Sequence, residues 1–349
     1  MRPLLLLFIA VLLLGSCRPE GTTKQSAAAQ AQTSPDNLKL YTHRYPVQDQ
    51  GIYRSFQARA NKGVDVFLHA GKDLVELAKA GRLRGDLVIL DDLYQAHQLI
   101  KLGVLEPYNA GTFGDYVPSR YVDNEGYWAA LTRWTMGFVY RPQAAPMEAM
   151  VNYAGILRPE LKGRVVMAHP DSSGLITMTA GMIAAHGATP ARIYLEQLKA
   201  QLAAPPYNND WEAVLAVAEG TADVALVNTS AYLRYKNSGN PELYRAVEGL
   251  LWEIPVDAKN NNYFNITPIC LLKQAPYRDY AISMVELLTL RENQGDYAAA
   301  YMEYPVNVFS QPNEFLDESF NVAQSTITVE TTEKQLDTAA DLVREIFAD

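Results

Sequence analysis

The chain has 349 residues, of which 48% are hydrophobic, and its formal net charge is −9 at pH 7. This charge argues against nucleic acids and anionic membrane surfaces as partners, because both are bound through clustered lysine and arginine. A chain of this length also exceeds what one hydrophobic core usually organises, so we expect two lobes. A small ligand or another protein is the expected partner.

The first residues have the composition of an export signal. Arg2 is followed by an apolar run over residues 4–14, and small residues then lead to Cys17. A membrane-spanning helix needs about 20 apolar residues, and this run is roughly half of that length. A cysteine in this position is where bacterial lipoproteins carry their lipid. We therefore predict a signal peptide over residues 1–16, lipidation of Cys17 and a flexible linker over residues 17–37.

After the linker, strand patterns alternate with helix patterns, which predicts α/β lobes with mostly parallel sheets. The first set consists of strands at 38–43, 64–69 and 86–90 and helices at 49–60, 72–80 and 93–101. The second set consists of strands at 163–168 and 223–227 and helices at 176–186, 192–202 and 211–218. Each set predicts one α/β lobe.

Two longer β-rich segments, 128–140 and 263–272, are predicted to cross between the lobes. A helix at 280–290 and a closing strand–helix pair at 325–329 and 334–347 are expected to complete the first lobe, with a ligand cleft between the two lobes. The predicted domain bounds are 38–135 and 270–349 for lobe 1 and 136–269 for lobe 2.

The loops that follow the predicted strands carry the candidate site, because open α/β sheets bind ligands beyond the carboxyl ends of their strands. One of these loops, 172–174, runs straight into a helix, and its backbone N–H groups favour an anion. The guanidinium of Arg133 suits a carboxylate or a phosphate. The predicted ligand-binding residues are Thr42, His43, Tyr45, Arg133, Ser172, Ser173, Gly174, Asn228, Thr229, Ser230, Tyr232 and Tyr304.

The 21 tyrosines and 5 histidines of the chain suggest a second chemistry, although most tyrosines are expected to be structural. Phenolate is a hard oxygen donor suited to ferric iron, and a bound cation lowers the pKa of a phenol. The candidate metal ligands are His43, Tyr45, Tyr232 and Tyr235. Sequence motifs of hydrolases, P-loop nucleotide-binding proteins, zinc proteases and thiol oxidoreductases are missing, so we predict neither an enzyme nor a catalytic cofactor.

The order of segments resembles the periplasmic iron(III)-binding proteins of ABC transporters, the ferric-binding class of type II substrate-binding proteins. Members of this class carry adjacent tyrosines after a second-lobe strand, whereas this chain reads Asn-Thr-Ser-Ala-Tyr at 228–232. A further tyrosine of the class is missing from the loop at 172–176. The segments that carry the resemblance are 41–45, 161–165, 186–187, 208–210, 216–228 and 302–306.

The resemblance implies two α/β lobes joined by two crossing strands, with the ligand bound in the cleft between them. Together with the predicted signal peptide and Cys17, it implies a monomeric, lipid-anchored receptor in the periplasm or at the cell surface, which delivers ferric iron or a ferric chelate to an ABC permease of the inner membrane. The alternative is a receptor for an anionic organic solute, such as a phosphonate, a sugar phosphate or a carboxylate. In that alternative the anion is held by the Ser-Ser-Gly loop at the start of the helix.

Overall fold

The computed structural model of this protein describes residues 34, 36–44, 46–108, 116–170, 174–316 and 325–348, and every structural statement below concerns these residues. The predicted signal peptide, Cys17 and the linker up to residue 33 lie outside them. Within these ranges, none of the helices has both the length and the apolar character needed to cross a bilayer.

Ten strands alternate with helices along the described chain. The strands are β1 (Leu38–Thr42), β2 (Val64–Leu68), β3 (Leu87–Ile89), β4 (Leu105–Glu106), β5 (Trp128–Tyr140), β6 (Val165–Met167), β7 (Val224–Asn228), β8 (Leu251–Glu253), β9 (Phe264–Leu272) and β10 (Tyr304–Pro305). The predicted strands of both sets are thereby confirmed, with the exception of the closing strand discussed below.

The helices also follow the predicted order. They are α1 (Pro46–Ala60), α2 (Gly71–Lys79), α3 (Leu93–Lys101), α4 (Met147–Met150), α5 (Leu175–His186), α6 (Ala188–Gln201), α7 (Asp210–Ala218), α8 (Thr229–Lys236), α9 (Pro241–Val247), α10 (Arg278–Thr289), α11 (Arg291–Ala300), α12 (Val329–Glu333) and α13 (Leu336–Phe347).

The strands form one mixed sheet with the order β2-β1-β3-β9-β5-β7-β6. At one end β1 pairs in parallel with β2 and β3, and at the other end β6 pairs in parallel with β7. The centre is antiparallel, because β9 runs against both β3 and β5, and β5 runs against β7. Two parallel groups of strands therefore flank an antiparallel centre.

The strand β5 connects the two groups. Its first part, up to Thr135, pairs with β9, and its second part, from Met136, pairs with β7 and β8. Both β5 and β9 are buried along almost their whole length, which explains their nearly continuous apolar sequence. The two predicted crossing segments are thus the two central strands of the sheet.

The C-terminal elements differ from the prediction. Residues 325–328 form no strand; Thr328 instead caps α12 by accepting a hydrogen bond from the backbone N–H of Thr331. The last helix, α13, packs against α5 and α6 of the second set, where Arg192 forms an ion pair with Glu345. This packing lies beside elements of the second set, whereas the sequence predicted α13 as part of lobe 1. The apolar spacing of α13 shows that one face is buried, but it does not show which elements cover that face.

Candidate ligand-binding site

The loop after β1 turns inward toward the centre of the sheet. The hydroxyl of Thr42 accepts a hydrogen bond from the backbone N–H of Arg44, at 3.0 Å. The Arg44 side chain is buried, and its Nη2 donates to Thr267 Oγ1 and to Glu303 Oε2, at 2.6 Å each. The guanidinium also lies 3.9 Å from the ring centroid of Tyr301. The tip of β1 is therefore fixed to β9 and to the segment that precedes β10.

Glu303 connects the tip of β1 to α8, the helix that follows β7. Its Oε1 lies 3.9 Å from Nη1 of Arg234 on α8, and the same nitrogen donates to the backbone carbonyl of Tyr301 at 3.2 Å. Burial alone would raise the pKa of Glu303, but the charges of Arg44 and Arg234 hold it below its usual value. The carboxylate is thus ionised between Arg44, which follows β1, and Arg234 on α8.

His43 forms a second polar contact at the same tip. Its Nδ1 lies 3.0 Å from Oδ1 of Asp91, which follows β3, and both side chains are partly exposed. Burial would raise the pKa of Asp91, but the adjacent imidazole of His43 lowers it below its usual value. A carboxylate beside Nδ1 favours the tautomer with its proton on that nitrogen. The lone pair of Nε2 then remains for a ligand.

The start of α5 meets the sheet next to Asp91. Gly174 has a φ of +71°, and a Cβ at this position would lie 2.5 Å from Cη2 of Trp134 on β5. The indole N–H of Trp134 donates to the carbonyl of Asp91 at 3.2 Å. Glycine is required here by both its backbone conformation and the close approach of the ring. The predicted residues Tyr45, Ser172 and Ser173 lie outside the described residues.

The start of α8 lies against the second part of β5. Asn228 caps the helix by accepting a hydrogen bond from the backbone N–H of Ser230 at 2.9 Å. Thr229 is buried and donates to the carbonyl of Thr135 at 3.2 Å. The predicted binding residues Asn228, Thr229 and Ser230 therefore hold the start of α8 and attach it to β5. The next charged side chain along α8, Arg234, reaches Glu303.

Tyr232 does not join the cluster that His43, Arg44, Asp91, Arg234 and Glu303 form. Its side chain is fully buried, and its hydroxyl donates to the carbonyl of Leu250 at 2.9 Å and accepts from Nζ of Lys236 at 3.1 Å. Burial raises the pKa of Tyr232 well above its ordinary value, so the phenol stays neutral. This arrangement does not suit the predicted metal-ligand role. Tyr235 is half-buried and stacks on Trp211, with 3.9 Å between the ring centroids.

Arg133 and Tyr304 are also separated from the cluster. Successive side chains of a strand point to opposite faces, so Arg133 faces away from its neighbours Thr132 and Trp134, which contact the cluster. Tyr304 lies directly opposite Arg133 in the antiparallel pairing, and the guanidinium lies 5.5 Å from the ring centroid of Tyr304. Both predicted residues therefore belong to the other face of the sheet.

Four charged residues of the site are absent from the predicted binding residues: Arg44, Asp91, Arg234 and Glu303. Arg44 and Glu303 each adjoin a predicted site residue in sequence, and charged residues next to buried strands are a signal for buried ion pairs. The neighbouring Asp92 caps α3, because its carboxylate accepts from the backbone N–H of Gln95 at 2.9 Å.

The chain is similar to two curated proteins of Synechocystis sp. (strain ATCC 27184 / PCC 6803 / Kazusa). Iron uptake protein A2 is 25% identical over 284 residues, which cover 80% of this chain and 80% of that protein. Iron uptake protein A1 is 24% identical over 298 residues, which cover 84% of this chain and 81% of that protein. No protein-family model matches the chain.

Solved structures show the same architecture. The ferric binding protein from Campylobacter jejuni superimposes with a TM-score of 0.78 at 22% identity, over 89% of this chain and 99% of that one. A Trichodesmium protein, IdiA or FutA, in complex with iron and citrate gives a TM-score of 0.78 at 22% identity, over the same shares. The chain has the type II periplasmic binding protein fold. The predicted fold class is thus confirmed, and the site described above lies where the two groups of strands of this binding-protein fold meet.

Proposed function

We propose that this protein is the solute-binding component of an ABC importer, and that its cargo is ferric iron, either bare or as a chelate. The observation that carries the proposal is the similarity to two iron uptake proteins over four-fifths of the chain, with equal coverage of those proteins. The protein acts as a monomer outside the cytoplasm, tethered through lipidated Cys17, and delivers its cargo to a permease of the inner membrane. It is a receptor and not an enzyme.

His43 is the side chain best prepared to bind the metal. Its Nδ1 faces the carboxylate of Asp91 at 3.0 Å, which fixes the ring and directs the lone pair of Nε2 to a ligand. Tyr45 follows two residues later, and Tyr235 lies one helical position beyond Arg234. Imidazole nitrogen and phenolate oxygen suit a hard ferric ion. We assign His43, Tyr45 and Tyr235 as the metal ligands and leave Tyr232 out, because its hydroxyl is bonded inside the core.

A chelating anion completes the coordination in this proposal. Oxygen atoms of the anion fill the positions around iron that His43, Tyr45 and Tyr235 leave open. Arg234, whose guanidinium is only partly neutralised by Glu303 at 3.9 Å, supplies positive charge for a carboxylate of the chelate. The start of α5, from Gly174, adds backbone N–H donors.

Closure of two lobes around the cargo provides the binding energy. We keep the predicted bounds 136–269 for lobe 2 and 38–135 for the first segment of lobe 1. We shorten the second segment of lobe 1 from the predicted 270–349 to 270–324, and we group α13 with lobe 2 because it packs against α5 and α6. The contacts of Arg234 with Tyr301 and Glu303 then bridge the lobes near the cargo. Lys101 and Asp337, which are 2.9 Å apart, bridge them at the rim between α3 and α13. A ligand that touches both lobes stabilises the closed state.

Titration with ferric citrate, followed by absorbance and by thermal shift, tests this proposal. We expect a phenolate-to-iron charge-transfer band that weakens in Tyr45→Phe and Tyr235→Phe, and a thermal shift that falls in His43→Ala. Tyr232→Phe is the matched control and keeps the band. A thermal shift with phosphonates or sugar phosphates, together with no response to any ferric salt or chelate, would reject iron and select an anionic organic solute.

The membrane anchor requires a separate measurement. Mass spectrometry of the mature protein from a bacterial membrane fraction is expected to show a diacylglyceryl group on the residue at position 17. The variant Cys17→Ser removes the thiol and is expected to appear in the soluble periplasmic fraction. An unmodified Cys17 in the membrane fraction would contradict the anchor without bearing on the cargo.

A further inference from the structure

A cavity of about 610 Å³ lies away from the candidate ligand-binding site. It is formed by the turn at Tyr153–Leu157, the second half of α5, the first turns of α6 and the segment 256–263. The helix α5 starts at the candidate site and ends at His186, which lines the cavity. Its 12 residues span about 18 Å. The volume is in the range of small-molecule sites, and the candidate site makes no use of this cavity.

Three tyrosines line the cavity and contact one another. The rings of Tyr153 and Tyr263 stack with 4.8 Å between their centroids, and Tyr194 meets Tyr153 edge-on at 6.4 Å. Tyr153 and Tyr263 have hydrogen-bonded hydroxyls, whereas the buried hydroxyl of Tyr194 has no partner among the described residues. The faces of aromatic rings carry negative electrostatic potential, which attracts cations.

Asp257 adds a negative charge beside the rings. Burial would raise its pKa, but the hydrogen bonds from Asn261, Tyr263 and the backbone lower it to about 2, so the carboxylate is ionised. Its oxygens already receive the side-chain and backbone donors of Asn261, the backbone N–H of Lys259, the hydroxyl of Tyr263 and a ring nitrogen of His186. The carboxylate therefore keeps its charge but has little capacity for a further donor.

We propose that this cavity binds an organic cation through a quaternary ammonium group. Such a group carries positive charge and has no N–H to donate, which matches a carboxylate whose acceptor positions are occupied. Its methyl groups suit tyrosine faces, because cation–π attraction needs contact and no hydrogen bond. The aliphatic side chains of Val151, Met182 and Val256 line the rest of the cavity and take the uncharged part of the ligand.

The experiment compares choline with dimethylbutanol, its neutral carbon isostere, by calorimetric titration of the full chain. The two probes have the same shape, so a difference in affinity reports the charge alone. We expect choline to bind roughly 3- to 30-fold more tightly, which is the size of a cation–π contribution. Equal or tighter binding of dimethylbutanol, or binding of neither probe in the millimolar range, would overturn the proposal.

Two substitutions of Tyr194 separate the ring from the hydroxyl. Tyr194→Phe keeps the ring and loses a hydroxyl without a partner, so it should bind choline with nearly the affinity of the native chain. Tyr194→Leu removes the ring and should bind choline roughly 3- to 30-fold more weakly. An equal loss in both variants would show that the hydroxyl, and not the ring, holds the cation. Titration with ferric citrate is a control, since neither variant touches the candidate iron site.

Discussion

The substitution Glu303→Gln tests the ion pair at the centre of the molecule. The Glu303 carboxylate is buried and receives hydrogen bonds from Arg44, Thr132 and Thr267, with Arg234 at 3.9 Å. Glutamine keeps the shape and one acceptor oxygen, but it removes the carboxylate charge that pairs directly with the fully buried Arg44. Removing one partner of a buried ion pair lowers the free energy of unfolding by about 3–5 kcal/mol. Because glutamine keeps one acceptor oxygen, we expect a loss of about 3 kcal/mol for Glu303→Gln.

Thermal unfolding followed by circular dichroism measures this loss. At about 1–2 °C per kcal/mol for a chain of this size, the melting temperature should fall by about 3–6 °C. Glu330→Gln is the matched control, because Glu330 forms an exposed pair with Lys334 and its loss should leave no resolvable change. A loss below about 1 kcal/mol in Glu303→Gln would mean that Arg44 is stabilised without its carboxylate, and the reasoning would be refuted.

Three further changes have outcomes that follow from the geometry. Gly174→Ala should lower the free energy of unfolding, measured in urea, by about 2–4 kcal/mol, because the added Cβ would overlap Trp134. Gly163→Ala is the control: Gly163 has a similar φ of +70° but lies in open space, so the loss should be about 1 kcal/mol. Burial raises the pKa of Asp92 to about 7, so the folded state binds its proton more tightly than the unfolded chain, and stability falls as the pH rises from about 4 to about 7. Asp92→Asn should therefore match the native chain at about pH 4 and exceed it by about 4 kcal/mol at about pH 8, and equal stability of the two at both pH values would contradict this. Tyr232→Phe loses a buried hydrogen bond and should cost about 1 kcal/mol of unfolding free energy while the iron band stays, and loss of the band would return this phenol to the metal site.

The sequence by itself determined the strands and helices of both sets, because hydrophobic spacing is a local property of the chain. The strand–loop junctions were predictable for the same reason, and the loop after β1 and the starts of α5 and α8 do meet the central strands. Gly174 illustrates this, since a glycine at a helix start after a strand is visible in the sequence and is required by Trp134 in the structure.

Only the tertiary structure decided which side chains share the site. Arg133 and Thr132 are neighbours in sequence, but the alternation of β5 sends them to opposite faces, and the pairing with β9 and β10 decides which face carries the site. Tyr232 and Arg234 are on one short helix, yet one enters the core and the other reaches Glu303. The orientation of a helix around its axis and the packing partner of α13 depend on distant segments of the chain. Local sequence patterns carry no information about those segments, so these features follow from the packed fold alone.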